Sequence, residues 1–201
     1  MILSKELFDR IISIIALIIL LPYFFIIAIL IKLDSKGPIF FLQERAGKNG
    51  KIFKIIKFRT MLSGADKITN TSIVPENSPY ITRIGKLLRR YSIDELPQLL
   101  NVIKGEMSLV GPRPALPYQI KKYSELQKKR LLMKPGITSW AAINGRNKLT
   151  WKERIEYDIY YVDNWSMWLD IKIIIKTVIF VIKGEGLYAE EGRKDEIVNG
   201  Y

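Results

Sequence analysis

The hydrophobic pattern begins with an uninterrupted apolar run. From Ile11 to Ile31 the chain carries no charge. About 21 residues make about 32 Å of helix, enough to cross a hydrocarbon core. The run is too long for a signal-peptide core, and no small-residue cleavage site follows it, so it is expected to be retained as an anchor. Pro22 lies in its middle, where it removes one helical hydrogen bond and favours a kink. Basic residues flank both sides: Lys5 and Arg10 before, Lys32 and Lys36 after. Length favours an ordinary spanning helix, since proline is tolerated in such segments. The excess of basic residues beyond the run puts that side in the cytoplasm, and the same rule asks for Lys5 and Arg10 there too. Both flanks on one face would require the helix to break at Pro22 and return. Residues 1–36 are therefore read as the anchor, and residues 37–201 as one domain.

Beyond the anchor the period changes. Residues 38–42 and 52–58 read as two strands joined by a turn-rich stretch containing Asn49-Gly50, a hairpin signal. Residues 63–79 are polar, with Pro75 and Pro79, and read as a flexible loop. Ile81 to Tyr91 predicts a short basic helix. A second helix is expected to start near Ile93 or Asp94, because Pro97 is comfortable only in a first turn, and to stop at Gly105. Residues 107–110 suggest a short strand. Pro117 to Met133 reads as an amphipathic helix with a Lys- and Arg-rich face. Residues 135–147 read as irregular. Thr150 and Glu153 form a capping box for a helix to about Val162. Its Tyr157, Tyr160, Tyr161 and Trp151, with Trp165 and Trp168 beyond, suit a core or a bilayer interface. Trp168 to Lys183 is apolar but carries Lys172 and Lys176. It is a poor span, and reads either as an in-plane helix with snorkelling lysines or as a core helix. The tail from Glu185 is charged and Gly-rich, and is expected to be loose.

Composition narrows the chemistry. Among 201 residues there is no cysteine and no histidine, which removes disulfides, thiol catalysis, histidine general bases and Ser-His triads. Any metal would be held by oxygen ligands, which favours Mg²⁺ or a similar hard ion. The net charge of +12 suits an anionic partner, and beside an anchor the anionic membrane lipids are the nearest.

Two motifs carry candidate chemistry. Ser92-Ile-Asp-Glu-Leu-Pro-Gln-Leu-Leu-Asn places Asp94 and Glu95 at an expected helix start, where free amides and the dipole attract phosphate and keep a carboxylate ionised. Capping of the helix by Ser92, Asp94 and Glu95 is the plainer reading. Gly111-Pro-Arg-Pro114 holds Arg113 between two residues of fixed φ, and its guanidinium suits phosphate oxygens. A plain turn with an exposed arginine explains the same residues.

Taken together, the Pro-broken anchor, Lys57-Phe-Arg-Thr-Met61, Ser92-Ile-Asp-Glu-Leu-Pro-Gln98, Gly111-Pro-Arg-Pro114, Pro135-Gly-Ile-Thr138, Asn144-Gly-Arg-Asn147 and Tyr161-Val-Asp-Asn164 resemble the bacterial sugar transferase family, the small monotopic phosphoglycosyl transferases. The resemblance covers nearly the whole chain, and the short length points to the minimal catalytic form. It implies an α+β, mainly helical catalytic domain with a small β-hairpin, interfacial amphipathic helices and a re-entrant anchor broken at Pro22. It implies transfer of a sugar 1-phosphate from a UDP-sugar to undecaprenyl phosphate, on the inner face of the bacterial inner membrane, with release of UMP. Asp94 matches the family nucleophile and Glu95 its partner, with Mg²⁺ held by these two carboxylates. Arg89 and Arg113 match basic residues near the phosphates, and Arg59 stands where a lysine or arginine is usual. Thr138, Asn144 and Arg146 are the expected nucleotide or sugar contacts.

The chain departs from the family pattern in places. Leu21 stands where a serine often precedes the proline, and Ser139 and Ala142 where glycine and glutamine are common. A nucleic-acid binder would need a groove-reading or RNA-binding motif, and none is apparent. An inactive scaffold is at odds with the intact Asp94-Glu95, Arg89 and Arg113. A glycosidase would need its carboxylates on opposite sides of a sugar bond. The sequence does not choose the sugar, the glycoconjugate pathway or the oligomeric state.

Overall fold

The computed structural model describes residues 2–65, 78–145 and 148–183. The chain is mainly helical, with one antiparallel hairpin and one long apolar helix at the N-terminus.

Helix α1 runs Ile2–Asp34, with Pro22 inside it. The helix is unbroken through Pro22 in its secondary structure, so the expected interruption there is not seen. One stripe of α1 is covered along its whole length. Lys5, Asp9 and Ser13 are buried, Leu17 and Leu20 follow, and Phe24, Ile27 and Ile31 continue the line. These spacings of three and four residues keep one face toward the domain. The opposite face exposes Leu7, Ile11, Ile14, Ile18, Leu21, Phe25, Ile29 and Leu33. Both ends of the helix thus rest on the same folded unit, while the apolar remainder fits membrane association.

Strands β1 (Phe40–Ala46) and β2 (Ile52–Phe58) form the expected hairpin, in register from Phe40↔Phe58 to Ala46↔Ile52. Its connection turns through Asn49 (φ 56°) and Gly50 (φ 76°), the left-handed pair that Asn-Gly supplies at low cost. Phe58 contacts Phe24 of α1 edge-on at 5.0 Å between ring centroids. Helix α2 (Arg83–Arg90) begins where Thr82 caps the Gly85 amide.

The carboxylate segment differs from its expected form. Ile93–Gln98 is a 3₁₀ helix, and only Leu99–Ile103 (α3) is α-helical. Pro97 has no N–H to give, so the tighter winding loses nothing there. Asn101 joins this segment to the hairpin. Its Oδ1 accepts from the Ile56 amide at 3.0 Å and its Nδ2 donates to the Lys54 carbonyl at 2.8 Å.

Strand β3 (Ser108–Val110) pairs in parallel with β4 (Gly136–Thr138). The second strand lies in the stretch read as irregular. A Cβ on Gly136 would sit 2.1 Å from the Gly111 nitrogen, so the close crossing of these strands demands glycine.

The single amphipathic helix expected over 117–133 is corrected by the structure. That stretch is three short pieces: α4 (Pro117–Ile120), α5 (Glu125–Lys128) and a 3₁₀ turn Lys129–Leu132. Ser124 starts a new capping box with Gln127, and Tyr123 and Arg130 turn inward, so no continuous face survives. Next come α6 (Trp140–Ile143) and α7 (Trp151–Asp163); α7 carries the capping box read from Thr150 and Glu153. Helix α8 (Met167–Lys183) buries Asp170 and Ile173 and exposes Trp168, Ile171, Ile175, Val178 and Ile182. One face joins the core through Ile173 against Val110, Ile143 and Tyr161, and the other is apolar and faces outward. Most of the polar stretch 63–79 and the tail from Glu185 lie outside the described residues.

A buried polar clamp joins α1 to α8. Lys5 Nζ lies 2.6 Å from Asp170 Oδ2, and Tyr161 OH and Trp165 Nε1 also donate to Asp170 at 2.6 and 3.0 Å. Ser108 donates to Asp9 from β3.

Candidate active site

Ser92 takes a left-handed conformation (φ 52°) and makes no side-chain cap of the 3₁₀ turn. Glu95 instead pairs with Lys57 Nζ at 2.6 Å across to the hairpin. This partnering argues against the plain capping reading of the motif. Lys57 shares its face of β2 with Phe53 and Ile55, which pack on Val102, Met107 and Ile137, so the apolar cluster sets the height at which the ammonium meets the carboxylate.

Asp94 is half-buried beside this pair. Burial, with the Glu95 charge next to it, pushes its carboxyl up to about 6, while Lys57 and Arg89 pull the other way. Burial dominates, because removing water disfavours the charged form. At neutral pH Asp94 is still mainly a carboxylate, and a poorly solvated one.

A cleft of about 280 Å³ opens here, lined by Lys57, Glu95, Gln98, Arg45, Arg113 and Ile137, among others. Arg113 is exposed at its rim. Its backbone is held from behind: the Arg113 carbonyl accepts from Arg130 Nη2 at 2.9 Å. Arg130 is fixed in turn by Asp158 and by Tyr123 OH, all three being buried.

The other expected residues are placed less directly. Arg59 is buried, and its guanidinium faces the C-terminal turn of α1. It donates to the carbonyls of Pro38 (2.5 Å), Ser35 (2.8 Å), Ile31 and Met61 (both 3.5 Å) and to Ser35 Oγ (2.6 Å). The geometry places Arg59 as a cap of the anchor helix, with its donors on groups in and after the last turn of α1. Thr138 Oγ1 lies 2.7 Å from Thr177 Oγ1 and ties β4 to α8. Asn144 closes α6 by donating to the Trp140 carbonyl at 2.7 Å. Arg146 lies outside the described residues.

The structure adds Arg45, which the sequence reading passed over. It lines the same cleft as Arg113, and only the alternation of β1 could have pointed to it.

A magnesium-type ion takes one or two carboxylates plus substrate phosphates. Asp94 and Glu95 are two adjacent carboxylates, and the Glu95 charge adds to burial in raising Asp94. Among the described residues no cluster of three acidic groups exists. The donor set therefore fits Mg²⁺ shared with a substrate and not a closed all-protein cage.

Comparison with known proteins decides the family. The model of the family described as "Bacterial sugar transferase" matches residues 1–184. The chain belongs to the bacterial sugar transferase family. An uncharacterized sugar transferase of Bacillus subtilis, EpsL, is 49% identical over 157 residues, covering 78% of this chain and 76% of the relative. The UDP-glucose:undecaprenyl-phosphate glucose-1-phosphate transferase of Xanthomonas campestris is 43% identical over 193 residues, 92% of this chain but 40% of that longer protein. The UDP-galactose-lipid carrier transferase of Erwinia amylovora is 37% identical over 198 residues, 92% of this chain and 41% of the relative. The family membership makes the chain an enzyme of sugar transfer, a phosphoglycosyl transferase.

Proposed function

We propose that this sugar transferase moves a sugar 1-phosphate from a UDP-sugar to undecaprenyl phosphate at the cytoplasmic face of the bacterial inner membrane. The observation that carries the reading is the placement of Asp94, backed by Glu95–Lys57 and Arg89, beside a cleft rimmed by arginines. The names of the relatives from Xanthomonas campestris and Erwinia amylovora agree with a sugar nucleotide and a lipid carrier as substrates.

In the first step a carboxylate oxygen of Asp94 attacks the β-phosphorus of the UDP-sugar. The bond from that phosphorus to the bridging oxygen breaks, and UMP leaves with the electron pair. In the second step an oxygen of the lipid phosphate attacks the same phosphorus, and the Asp94 carboxylate is released. Dividing the transfer through a covalent carboxylate intermediate is an established strategy. Poor solvation of Asp94 favours attack, while Lys57 holds Glu95 and keeps Asp94 ionised. Arg89 and Arg113 offset charge on the phosphoryl oxygens. Asp94 and Glu95 would hold Mg²⁺, which would supply further charge neutralisation.

One site serves a soluble donor and a lipid acceptor in turn, which asks for a catalyst fixed at the interface. The buried stripe of α1 and the Lys5–Asp170 pair hold both ends of the anchor against one unit. That supports a monotopic placement, with both basic flanks and the catalytic domain on one face. The outward apolar face of α8 supports an in-plane position, with Lys172 and Lys176 reaching headgroups. Anionic lipids are the expected surroundings, and nucleic acid is not an expected partner.

The test is UMP release by detergent-purified protein with undecaprenyl phosphate, Mg²⁺ and a panel of UDP-sugars, beside Asp94→Asn. Release should need lipid, metal and Asp94, and a phosphosugar adduct should form on the wild type alone. Turnover at the wild-type rate in Asp94→Asn would remove Asp94 from the nucleophile role.

A further inference from the structure

We infer that Arg45 and Arg113 form a two-guanidinium seat for a substrate phosphate, which makes Arg45 a substrate-binding residue. The inference rests on the proposed reaction and adds a residue that the motifs did not supply.

Arg45 is positioned, not loose. Its Nε and Nη2 donate to Gln43 Oε1 at 3.1 and 2.6 Å, and its Nη1 donates to the Pro114 carbonyl at 3.1 Å. The first two contacts fix the guanidinium plane against its own strand. The third aims it at the Gly111–Pro114 turn that carries Arg113. A guanidinium has five N–H groups, so donors on both Nη atoms remain for a ligand.

Charge at this point is unbalanced. Among the described residues neither Arg45 nor Arg113 forms an ion pair with a carboxylate. Burial, and then the Arg113 charge, bring Arg45 down to about 10. Two like charges facing one half-enclosed space are unfavourable unless an anion joins them. Arg130, tied to buried Asp158, holds the Arg113 backbone at the rim of the cleft. Glu95, which lines the same cleft, pairs with Lys57, and its charge offsets only part of the burial and repulsion at Arg45. A phosphate ester suits the two guanidinium groups chemically: planar forks with parallel N–H groups match its oxygens. The phosphate could be the nucleotide's or the lipid's, since both substrates carry one.

The experiment uses the full chain in detergent. Affinity for UMP and for inorganic phosphate is measured calorimetrically in an Asp94→Asn background, with Arg45→Gln, Arg45→Lys and Arg113→Gln added singly, and melting is followed for each. In the Asp94-intact chain the two half-reactions are timed separately: adduct formation from UDP-sugar without lipid, and discharge of the adduct to undecaprenyl phosphate. A loss of about tenfold in UMP affinity, with a raised KM for UDP-sugar and partial rescue by lysine, supports a nucleotide phosphate in the seat. Normal adduct formation with about tenfold slower, KM-limited discharge supports the lipid phosphate. Unchanged affinities for UMP and phosphate together with unchanged half-reactions overturn the seat. So does an activity loss that follows the melting temperature with both KM values unchanged, since Arg45 would then only brace the hairpin. An adduct that still forms in Asp94→Asn would instead refute the proposed reaction, and the binding data would stand apart from it.

Discussion

Lys57 and Glu95 meet at 2.6 Å across the gap between the hairpin and the 3₁₀ turn, joining residues 38 apart in the chain. The pair does two opposite things to its neighbour. Lys57 lowers the pKa of Asp94 and Glu95 raises it. Removing either partner should therefore move the acid limb of the pH–rate profile in opposite directions. In Lys57→Gln the limb should rise above about pH 6, and in Glu95→Gln it should fall below it, whatever happens to the maximal rate. The profile of kcat/KM for UMP release checks this. Shifts of the same sign in both variants would sink the electrostatic account.

Asp94 also links stability to pH. Its carboxyl is raised in the folded chain from an ordinary 3.8 to about 6, chiefly by burial. The folded state then binds a proton more readily than the unfolded one. Stability from this group is full below about pH 4 and is lost as pH rises through 6. The loss is of order 3 kcal/mol at most, from the shift of about two units. Asp94→Asn removes the penalty. The variant should melt higher than the wild type at pH 7.5, by several degrees, with the gap closing near pH 4. Melting curves at the two pH values measure it, and a gap of equal size at both would count against the shift.

Arg59 offers a contrast with the cleft arginines. It donates to carbonyls at the end of α1 and to Ser35 Oγ. Arg59→Ala should orphan those acceptors and lower stability by about 2 kcal/mol, while the KM for UDP-sugar in the folded fraction stays at the wild-type value. A large rise in KM at unchanged melting temperature would place Arg59 at the phosphate site.

Local signals in the sequence were legible where structure is local. Thr150 and Glu153 announce α7 because a capping box needs only four residues, and Asn49-Gly50 announces the hairpin because the turn itself requires positive φ. The Asp94-Glu95 motif supplied the candidate site. Its 3₁₀ winding was hidden, since Pro97 is compatible with either helix. Residues 117–133 kept a helical composition, yet Ser124 restarts the chain there, and the pull of Tyr123 and Arg130 into the core depends on Asp158, far along in α7. The partners of β3, of Arg59 and of Lys5 are likewise set by distant residues. Arg45 passed unnoticed because a lone arginine in a strand has no pattern; only the approach of Pro114 and Arg113 gives it a role.

The clamp between α1 and α8 is the most exposed to mutation of these distant contacts. Lys5 and Asp170 are 4% and 3% exposed, and Asp170 also receives Tyr161 and Trp165. Removing one partner of a buried pair leaves the other charge uncompensated, at about 3–5 kcal/mol. Lys5→Met should therefore be strongly destabilising, because Asp9 and Asp170 remain together without their cation. Lys5→Met with Asp170→Asn should recover much of the loss, since asparagine can still accept from Tyr161 or Trp165 without a charge. A double-mutant cycle on thermal unfolding measures the coupling, which should exceed 1 kcal/mol for groups in direct contact. Additive losses would mean that the N-terminal end of α1 does not rest on α8, and the support for a one-sided anchor would fall with it.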